Sequence, residues 1–500
     1  MNVKPTIEKA SEDGFALTFD DVRLRTGYSQ IMPGDVNLES MFSRNVGLKV
    51  PIVSAAMDTV TEYKLAIEIA KLGGMGVIHR NLSPDAQALH VSKVKHNLNG
   101  LIEKPICVYE NEKVSEVMAR VEEKGYSFRS FPVLSREGKL VGLVTGNDFE
   151  FCDNNSLEVR SIMSTAPIFG KEGMSIDDAY GIMKEQKKKV IPLVDKGGSV
   201  VGMYIFSDLK RIRTRSAENY NIDTHGQLRV AAAVGTGDEE IERAGRLIDK
   251  KVDVIVIDTA HGDSKSVLYT LKEIKNRYNV DVVVGNVSIG ESAKRLVDVG
   301  ADGIKVGQGP GSICTTRIVA GIGRPQVSAV YDCMKAIFGS GVPICADGGI
   351  TSSGDIPIVI GAGAHSVMMG GMLAGTEESP GEIQFYEGRQ WKSYRGMGSL
   401  GAMQESRSSR QRYLQSDAEK NRLVPEGIEG LVPYRGKLND VLFQYIGGLR
   451  KGMGYVGAGT IEELREKAQF DRITQSGFIE SHPHGVKITK ESPNYQGRGI

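Results

Sequence analysis

Short runs of hydrophobic residues, each ending in glycine or a polar residue, recur along most of the chain. Their length and their uninterrupted apolar character are typical of strands buried on both faces of a parallel sheet. We predict eight such strands: PIVSAAMD (51–58), MGVIHR (75–80), RVAAAVG (229–235), DVIVIDTAHG (253–262), DVVVGNV (281–287), DGIKVG (302–307), VPICADGG (342–349) and SVMMGG (366–371).

Amphipathic helical patterns separate these runs. In EYKLAIEIAKLGG (62–74), DEEIERAGRLIDK (238–250) and GESAKRLVDVG (290–300), apolar positions fall three and four residues apart, and a glycine closes the first and the third. Repeated strand-helix alternation predicts an α/β protein, a (β/α)₈ barrel whose active site is built from the loops after the strands' carboxyl ends. A doubly wound parallel sheet is the alternative, although it usually has fewer strands.

The spacing of the strands is broken once, after MGVIHR, and the intervening stretch contains an internal repeat. FPVLSREGKLVGLVTGNDF (131–149) aligns with IPLVDKGGSVVGMYIFSDL (191–209). The repeat resembles a tandem pair of cystathionine-β-synthase (CBS) motifs, which in many proteins bind adenine or guanine nucleotides; a packing module without a ligand is the alternative. We therefore predict a first barrel segment at 1–99, an insert at 100–214 and the rest of the barrel at 215–500.

Charge and cysteine content narrow the class of protein. The chain has 62 basic and 62 acidic residues, so its formal net charge is zero and no overall basic face for nucleic acid or membrane is expected. Five cysteines without metal-like spacing suit a reducing compartment. The charged start and the short apolar runs predict neither a signal peptide nor a membrane span, and we expect a cytoplasmic protein.

Several strand ends carry glycines that would let backbone N–H groups face an anion. The relevant loops are the one after strand six, with Ser312, and the late loops ADGG (346–349) and MMGG (368–371). Phosphate sites in barrels commonly lie after strands seven and eight, so two adjacent glycine-rich loops favour a phosphate site. The alternative is that these glycines only make turns.

The stretch GPGSICTTR (309–317) places Cys314 in a polar, glycine-rich loop. A thiol buried among apolar side chains is inert, whereas one held over a barrel mouth can ionise and reach a substrate. Cys333, in a helical segment, and Cys345, in an apolar strand, are expected in the core. Cys314 is therefore the candidate nucleophile, and a loop thiol without a role is the alternative.

These motifs together resemble one enzyme family, that of inosine-5′-monophosphate (IMP) dehydrogenase and its relative GMP reductase. The resemblance covers almost the whole chain, and its motifs are LTFDDV (17–22), VSAAMDTVTE (53–62), GPGSICTTR, ADGGI (346–350), YRGMGS (394–399), VPEGIEG (424–430) and ESHPH (480–484). It implies NAD-dependent oxidation of IMP. Cys314 would attack carbon 2 of the purine, hydride would leave to NAD, and water would hydrolyse the covalent thioimidate to xanthosine monophosphate.

The resemblance also implies roles for individual residues. The IMP phosphate would contact Ser312, Gly349, Gly370, Gly371 and Tyr394. The ribose would contact Asp347 and the adjacent Gly348, and the base would contact Met57, Met397, Gly398 and Glu426. The nicotinamide side would use Asp258, Thr259, Ala260, Asn286 and Gly307, and Thr316 would lie near the reacting centre. Position 371 is often serine in this family, so the glycine here removes one hydroxyl donor.

A polar, charged segment at about 400–430, here called the flap, resembles the part of the family that folds into the vacated NAD site. Arg412 and Tyr413 would then activate water, and Gln411 stands where bacterial members usually carry Asp. From the residues alone, the same composition indicates a mobile surface segment, and a guanidinium is normally too weak a base to lose its proton.

The resemblance further implies a potassium ion and a homotetramer. The ion would bind carbonyls of Gly309, Gly311 and Cys314, completed by Glu480, Ser481 and His482 of the partner subunit. Carbonyl oxygens suit a hard cation; zinc at His482 and His484 is disfavoured because no third ligand stands at useful spacing. An octamer and a nucleotide at the CBS insert stay open.

Two alternatives differ in activity. A GMP reductase would deaminate GMP with NADPH, and we expect both the CBS insert and the Arg412-Tyr413 pair only in the dehydrogenase. A nucleotide-sensing barrel without turnover is disfavoured by the intact Cys314, Thr316, Asp347 and Arg412.

Overall fold

The computed structural model describes residues 3–98, 101–102, 104–124, 129–213, 218–415, 418–419, 422–490 and 492–495. The chain divides into two compact units. One comprises Met1–Lys95 with Leu228–Ile500, and the other comprises His96–Gln227. The insert predicted at 100–214 lies inside the second unit.

Eight parallel strands close into a barrel in the first unit. The strands are β1 (Ile52–Ser54), β2 (Met75–Ile78), β3 (Ala231–Val234), β4 (Val254–Asp258), β5 (Asp281–Val287), β6 (Gly303–Val306), β7 (Ile344–Asp347) and β8 (Ser366–Met369). They follow one another around the barrel in chain order, and β2 pairs with β3 across the second unit's insertion point. Each lies within one of the eight predicted runs, so the barrel is confirmed and the doubly wound alternative is wrong.

Helices follow the strands on the outside of the barrel. They are α1 (Tyr63–Lys71), α2 (Pro84–Lys95), α3 (Asp238–Asp249), α4 (Lys265–Arg277), α5 (Gly290–Val299), α6 (Gln326–Ala336), α7 (Asp355–Gly361) and α8 (Leu438–Val456). On α1 the apolar residues Leu65 and Ile69 are four positions apart and both buried, as the pattern predicts. Gly300 ends α5 with a left-handed φ of +111°, a conformation that favours glycine.

The barrel interior is filled by inward-pointing side chains of the strands. Val254, Val256 and Val283 belong to this core and are fully buried. Burying one such side chain stabilises the fold by roughly 1.5–3 kcal/mol relative to exposure. The C-terminal ends of the strands are thereby held as a rigid rim for the loops that follow.

Smaller elements surround the barrel. The helices are Pro5–Glu12, Thr316–Val319, Gly371–Ala374, Leu400–Glu405, Arg407–Arg412, Ile461–Lys467 and Gln475–Glu480, with a 3₁₀ turn at Phe19–Asp21. Antiparallel pairs join Val22–Leu24 to Phe470–Arg472 and Ser40–Ser43 to Val46–Leu48. A three-stranded antiparallel sheet contains Ile383–Tyr386, Arg389–Arg395 and Glu429–Pro433.

The second unit contains two similar halves. The first has strands Val108–Tyr109, Phe131–Leu134 and Leu140–Val144 with helices Val114–Lys124, Gly146–Glu150 and the 3₁₀ turn Val159–Ser161; the second has strands Gly170–Lys171, Val190–Val194 and Val200–Ile205 with helices Ile176–Glu185 and Phe206–Arg213. Val133 pairs with Gly142, and Leu193 pairs with Gly202. The two hairpins therefore share the register that the sequence repeat predicts.

Among the described residues, no helix combines the length and the apolar character needed to cross a bilayer.

Candidate active site

The cysteine loop starts where β6 ends. Gly307 has a φ of +148°, and a Cβ there would collide with the main-chain oxygen of Asp347, so only glycine allows this close approach of two loops. Cys314 is half-buried, whereas Cys333 and Cys345 are buried as predicted. Burial raises the pKa of the Cys345 thiol to about 12 and raises that of Cys333 as well. Of these three thiols, only Cys314 is open to a ligand.

A chain of hydrogen bonds leads from the Cys314 thiol to a carboxylate. Cys314 Sγ lies 3.2 Å from Thr316 Oγ1, and the Thr316 hydroxyl donates to Glu426 Oε2 at 2.7 Å. Main-chain hydrogen bonds hold the loop that carries Glu426 against the cysteine loop. Thr315 N–H donates to Glu426 O at 3.0 Å, and Ile428 N–H donates to Ile313 O at 3.0 Å. Residues 110 positions apart therefore form one polar chain.

A buried lysine joins the ends of three strands beside this loop. The Lys305 ammonium lies 2.9 Å from Asp258 Oδ1 and 2.5 Å from Asp347 Oδ2, and it also contacts Asn286 Oδ1. Asn286 Nδ2 donates to the same Asp347 oxygen at 2.9 Å and to Gly307 O at 2.6 Å. A buried ammonium requires such partners because an unpaired charge is costly away from water. The network fixes the Asp347 carboxylate at the end of β7.

Three of the candidate phosphate residues, Ser312, Gly370 and Gly371, lie around the Tyr394 side chain. Burial raises the pKa of Tyr394 to about 12, although hydrogen bonds from Ser312 and the Gly371 amide oppose the shift. A Cβ on Gly370 would lie 3.1 Å from the Tyr394 hydroxyl and 3.2 Å from Met57 Sδ. A Cβ on Gly371 would lie 3.1 Å from Ser312 Oγ. A serine at position 371 would therefore require its neighbours to move by a few tenths of an ångström.

The ADGG loop packs against the cysteine loop. Gly348 and Gly349 have left-handed φ values of +88° and +82°, and a Cβ on Gly349 would lie 2.9 Å from the Phe19 ring and 3.3 Å from Pro310. Tight packing and backbone conformation therefore suffice to require these two glycines. The phosphate role expected for this loop stays a prediction beside this steric requirement.

The flap is docked on the barrel in this structure. Arg412 forms an ion pair with Asp258, and its main-chain oxygen accepts a hydrogen bond from Ala260 N–H at 3.2 Å. The Tyr413 ring lies beside Gly398, where a Cβ would be 2.5 Å from Tyr413 Cζ. Burial raises the pKa of Tyr413, and the Arg412 guanidinium partly opposes that shift.

The remaining candidate nicotinamide residues are held by the barrel itself. Thr259 Oγ1 donates to Gly285 O at 2.9 Å, and Asn286 N–H donates to Thr259 O at 2.9 Å. Asn286 also donates to Gly307 O, and the neighbouring Asp258 carboxylate is engaged by Arg412 and Lys305. The structure therefore presents the candidate cofactor side with the flap over it.

The candidate cation ligands form two separate groups in a single chain. Gly309, Gly311 and Cys314 lie in the cysteine loop, whereas Ser481 and His482 follow the helix Gln475–Glu480, where Ser481 Oγ donates to Gly477 O at 2.8 Å and His482 Nδ1 lies 3.2 Å from Tyr495 Oη. Over the ranges that the structure describes, no hydrogen bond joins these two groups. Their union across two subunits stays a prediction.

Sequence reasoning missed two site features. Lys305 has no role in the sequence-based site, although a lysine inside the apolar run DGIKVG is a recognisable anomaly for a buried strand. Arg80, at the end of β2, contacts the flap and was not considered. Its signal is weaker, because a charged residue after a strand is ordinary in sequence.

The barrel and its cysteine loop are those of a known enzyme class. The chain belongs to the IMP dehydrogenase / GMP reductase family, because the model of that family's domain matches residues 16–484.

Dehydrogenases and a reductase of this family are similar to this chain over nearly its full length. Inosine-5′-monophosphate dehydrogenase from Aquifex aeolicus is 49% identical over 497 residues, covering 98% of this chain and 99% of the relative. The same enzyme from Helicobacter pylori is 47% identical over 484 residues, covering 96% and 99%. A crystal structure of GMP reductase from Trypanosoma brucei in complex with guanosine 5′-monophosphate is 36% identical, with a TM-score of 0.86 and coverage of 96% of this chain and 100% of that one.

The reductase structure corrects one expectation. We expected the CBS insert only in the dehydrogenase. A match that covers 96% of this chain cannot omit the second unit, which spans His96–Gln227. The insert therefore does not distinguish the two activities.

Proposed function

We propose that this chain oxidises IMP to xanthosine monophosphate with NAD, through a covalent bond between Cys314 and the purine. The observation that carries the proposal is the half-buried thiol connected through Thr316 to Glu426 at the barrel mouth. The two bacterial relatives reported above, named for this activity, support the choice of substrate. The oxidation is the committed step of guanine nucleotide synthesis.

The hydrogen-bonded chain gives the thiol proton a path. As Cys314 Sγ bonds to carbon 2 of the purine, its proton passes to Thr316 and the Thr316 proton passes to Glu426, so the carboxylate gains one proton. The adduct is tetrahedral, and the hydride on carbon 2 can then leave with its electron pair, which is the usual gain from covalent catalysis. NAD, when bound, supplies the acceptor for that hydride. The product on the enzyme is a thioimidate.

The residues around the thiol would hold IMP by its two ends. Ser312, Tyr394 and the glycines at 349, 370 and 371 would face the phosphate, and Asp347, oriented by Lys305 and Asn286, would accept from the ribose hydroxyls. Met57, Met397, Gly348, Gly398 and Glu426 would enclose ribose and base. With IMP held at both ends, carbon 2 of its purine would lie within reach of Cys314 Sγ.

Hydrolysis is proposed to use the docked flap. Arg412 and Tyr413 would be the polar groups of the flap that face the adduct, and the ion pair with Asp258 fixes the Arg412 guanidinium. Water positioned there would add its oxygen to carbon 2 as the carbon–sulfur bond breaks. One water proton goes to N3 of the purine and the other to the sulfur, and Glu426 releases the proton that it gained earlier, which leaves xanthosine monophosphate and free Cys314. NAD and the docked flap would occupy the same place at different steps of the reaction, and both would contact residues of one set: Asp258, Thr259, Ala260, Asn286 and Gly307.

Replacing Tyr394 by phenylalanine should weaken IMP binding roughly 10- to 100-fold, because a hydrogen bond to a charged group contributes roughly 1.5–3 kcal/mol. The raised pKa of about 12 keeps this phenol a donor throughout the neutral range. Calorimetric titration with IMP measures the loss, and Tyr386→Phe on the exposed hairpin is the matched control. Equal affinity in the two variants would remove Tyr394 from the phosphate site.

A monovalent cation, potassium by the family resemblance, fits the cysteine loop. Within the described residues, no backbone hydrogen bond ends on the carbonyl oxygens of Gly309 or Cys314, so both can coordinate a cation. Oxygen ligands suit such an ion. Gly311 and the partner subunit's Glu480, the partner subunit's Ser481 and the partner subunit's His482 would complete the site in a homotetramer; a nucleotide at the CBS insert and a cytoplasmic location are further proposals.

GMP reductase is the second candidate, favoured by the 36% identical reductase structure. Incubation of the purified protein with IMP, NAD and potassium, followed by absorbance, tests the choice. NADH formation with IMP supports the dehydrogenase, and oxidation of NADPH with GMP would establish the reductase instead.

A further inference from the structure

A buried arginine at the end of β2 contacts the docked flap. Arg80 is 3% exposed, and its Nη1 donates to Gln411 Oε1 at 2.6 Å and to Ser408 Oγ at 3.2 Å. On the barrel side, Glu240 is 3.9 Å from the same nitrogen. Two of these three partners belong to the flap helix Arg407–Arg412, so docking supplies most of the hydrogen bonds that this nitrogen makes.

Gln411 links the flap to two strand ends at once. Its Oε1 accepts from Arg80, and its Nε2 donates to Thr236 O at 2.7 Å, in the loop after β3. Gln411 directly precedes Arg412 in the chain, so fixing its side chain limits where the Arg412 backbone can lie. The contact therefore acts one residue away from the ion pair with Asp258.

Gly235 leaves the space in which this contact forms. A Cβ at position 235 would collide with both Arg80 Nη1 and Gln411 Oε1. No left-handed φ is involved, so an alanine is compatible with the backbone but not with the two side chains in their present positions. The steric requirement is independent of the hydrogen bonds.

Asn81 makes a second contact beside the first. Its side chain exchanges hydrogen bonds with Ser409, at 3.0 and 3.2 Å, and donates to Asp58 Oδ2 at 2.9 Å. Ser409 is 1% exposed. We call Arg80, Asn81 and Gly235 the flap dock, because together they receive the inner face of the flap helix.

The electrostatics of the dock make the contact sensitive to position 411. Burial lowers the pKa of Arg80 to about 10, with Glu240 opposing the shift and Arg412 adding to it, so the guanidinium stays charged at neutral pH. A buried charge must be hydrogen-bonded, and here both partners from the flap are neutral, the Gln411 amide and the Ser408 hydroxyl. The repulsion between Arg80 and Arg412 favours undocking, and Gln411 counteracts it.

We propose that Arg80 is a positioning residue that acts through Gln411 to hold Arg412 on Asp258, and so sets the fraction of enzyme whose flap is docked. The inference rests on the proposed function, in which the docked flap hydrolyses the covalent adduct. Loss of one hydrogen bond to a charged group should shift the docking equilibrium roughly 10- to 100-fold.

Hydrogen exchange of the ligand-free full-length protein tests the hold itself. In Arg80→Met we expect the amides of 408–413 to exchange about ten-fold faster or more. Arg407→Met is the matched control. Arg407 is exposed on the same helix, and its ion pair with Glu239, at 3.6 Å, joins two exposed side chains. Exchange of the 408–413 amides should therefore stay unchanged in this variant. Gly235→Ala should reproduce the Arg80→Met effect without removing a charge. Unchanged exchange in both dock variants overturns the proposal.

Kinetics test the consequence for the reaction. With IMP and NAD, Arg80→Met should keep its first burst of NADH but turn over about ten-fold more slowly, with covalent adduct accumulating in the intact mass. Arg80→Lys, which keeps the positive charge, should restore part of the rate. A burst that falls in proportion to turnover would overturn the positioning role.

The two proposals fail differently. Faster exchange in Arg80→Met with no adduct, while Arg412→Gln does accumulate adduct, overturns the positioning role of Arg80. Absence of adduct in both variants overturns the role proposed for Arg412, and the exchange result then still decides whether Arg80 holds the flap.

Discussion

Replacing Cys314 by alanine should abolish NADH formation from IMP, with a loss of at least about 10³-fold in turnover, because removing a covalent nucleophile leaves only binding and positioning. The alanine loses the sulfur but leaves the loop's hydrogen bonds at Ile313 and Thr315 in place. IMP binding should therefore change little. Stopped-flow absorbance measures turnover, and calorimetry measures binding.

The matched control is Cys152→Ala. Cys152 is likewise a free, half-buried thiol, but it belongs to the second unit. This variant should turn over at the normal rate. Appreciable NADH production by Cys314→Ala would refute covalent catalysis at this sulfur.

Replacing Arg412 by glutamine should slow hydrolysis by about 10²- to 10⁴-fold, the range typical of a positioned acid or base. Hydride transfer should be nearly unaffected, because it precedes flap docking. The enzyme would then release one NADH per site rapidly and stall as the thioimidate. Rapid mixing measures the burst, and intact mass measures the adduct.

Arg407→Met provides the comparison for this variant as well, since it removes a guanidinium from the same helix. Its steady-state rate should equal that of the unmodified enzyme. If Arg412→Gln reduced burst and turnover equally, the guanidinium would act in the first half of the reaction and the flap assignment would be wrong.

The barrel could be predicted because burial in a parallel sheet leaves a direct record in sequence. β5, for example, is a seven-residue strand in which every residue is buried, and its run DVVVGNV reads as apolar almost throughout. Lys305 is the informative exception. It occupies an apolar strand position because Asp258 and Asp347 come from strands on either side of it in sequence, and only the closed barrel brings them together.

The candidate site was less accessible to prediction, because its contacts join distant segments. Cys314 was recognisable from its loop composition, but its connection to Glu426 depends on backbone hydrogen bonds between two loops. The contact of Arg80 with Gln411 spans 331 positions and has no local signal. The sequence indicates which residues are unusual for their position, but only the folded chain shows which of them are in contact.

The glycine-rich loops show how one pattern can serve two purposes. The sequence favoured a phosphate site over simple turns for both late loops. Gly348 and Gly349 are required by their left-handed φ and by packing against Pro310, whereas Gly370 and Gly371 lie against Tyr394 and Ser312. A glycine pair in sequence therefore does not separate steric need from ligand binding.

The most direct measurement is a quenched reaction of Arg412→Gln with IMP and NAD, followed by proteolysis and mass spectrometry of the peptide that contains residues 309–317. We predict that this peptide carries the mass of the oxidised nucleotide on Cys314, in an amount equal to the NADH formed in the burst. A stoichiometric burst of NADH with an unmodified Cys314, or with the added mass on another residue, would contradict the account.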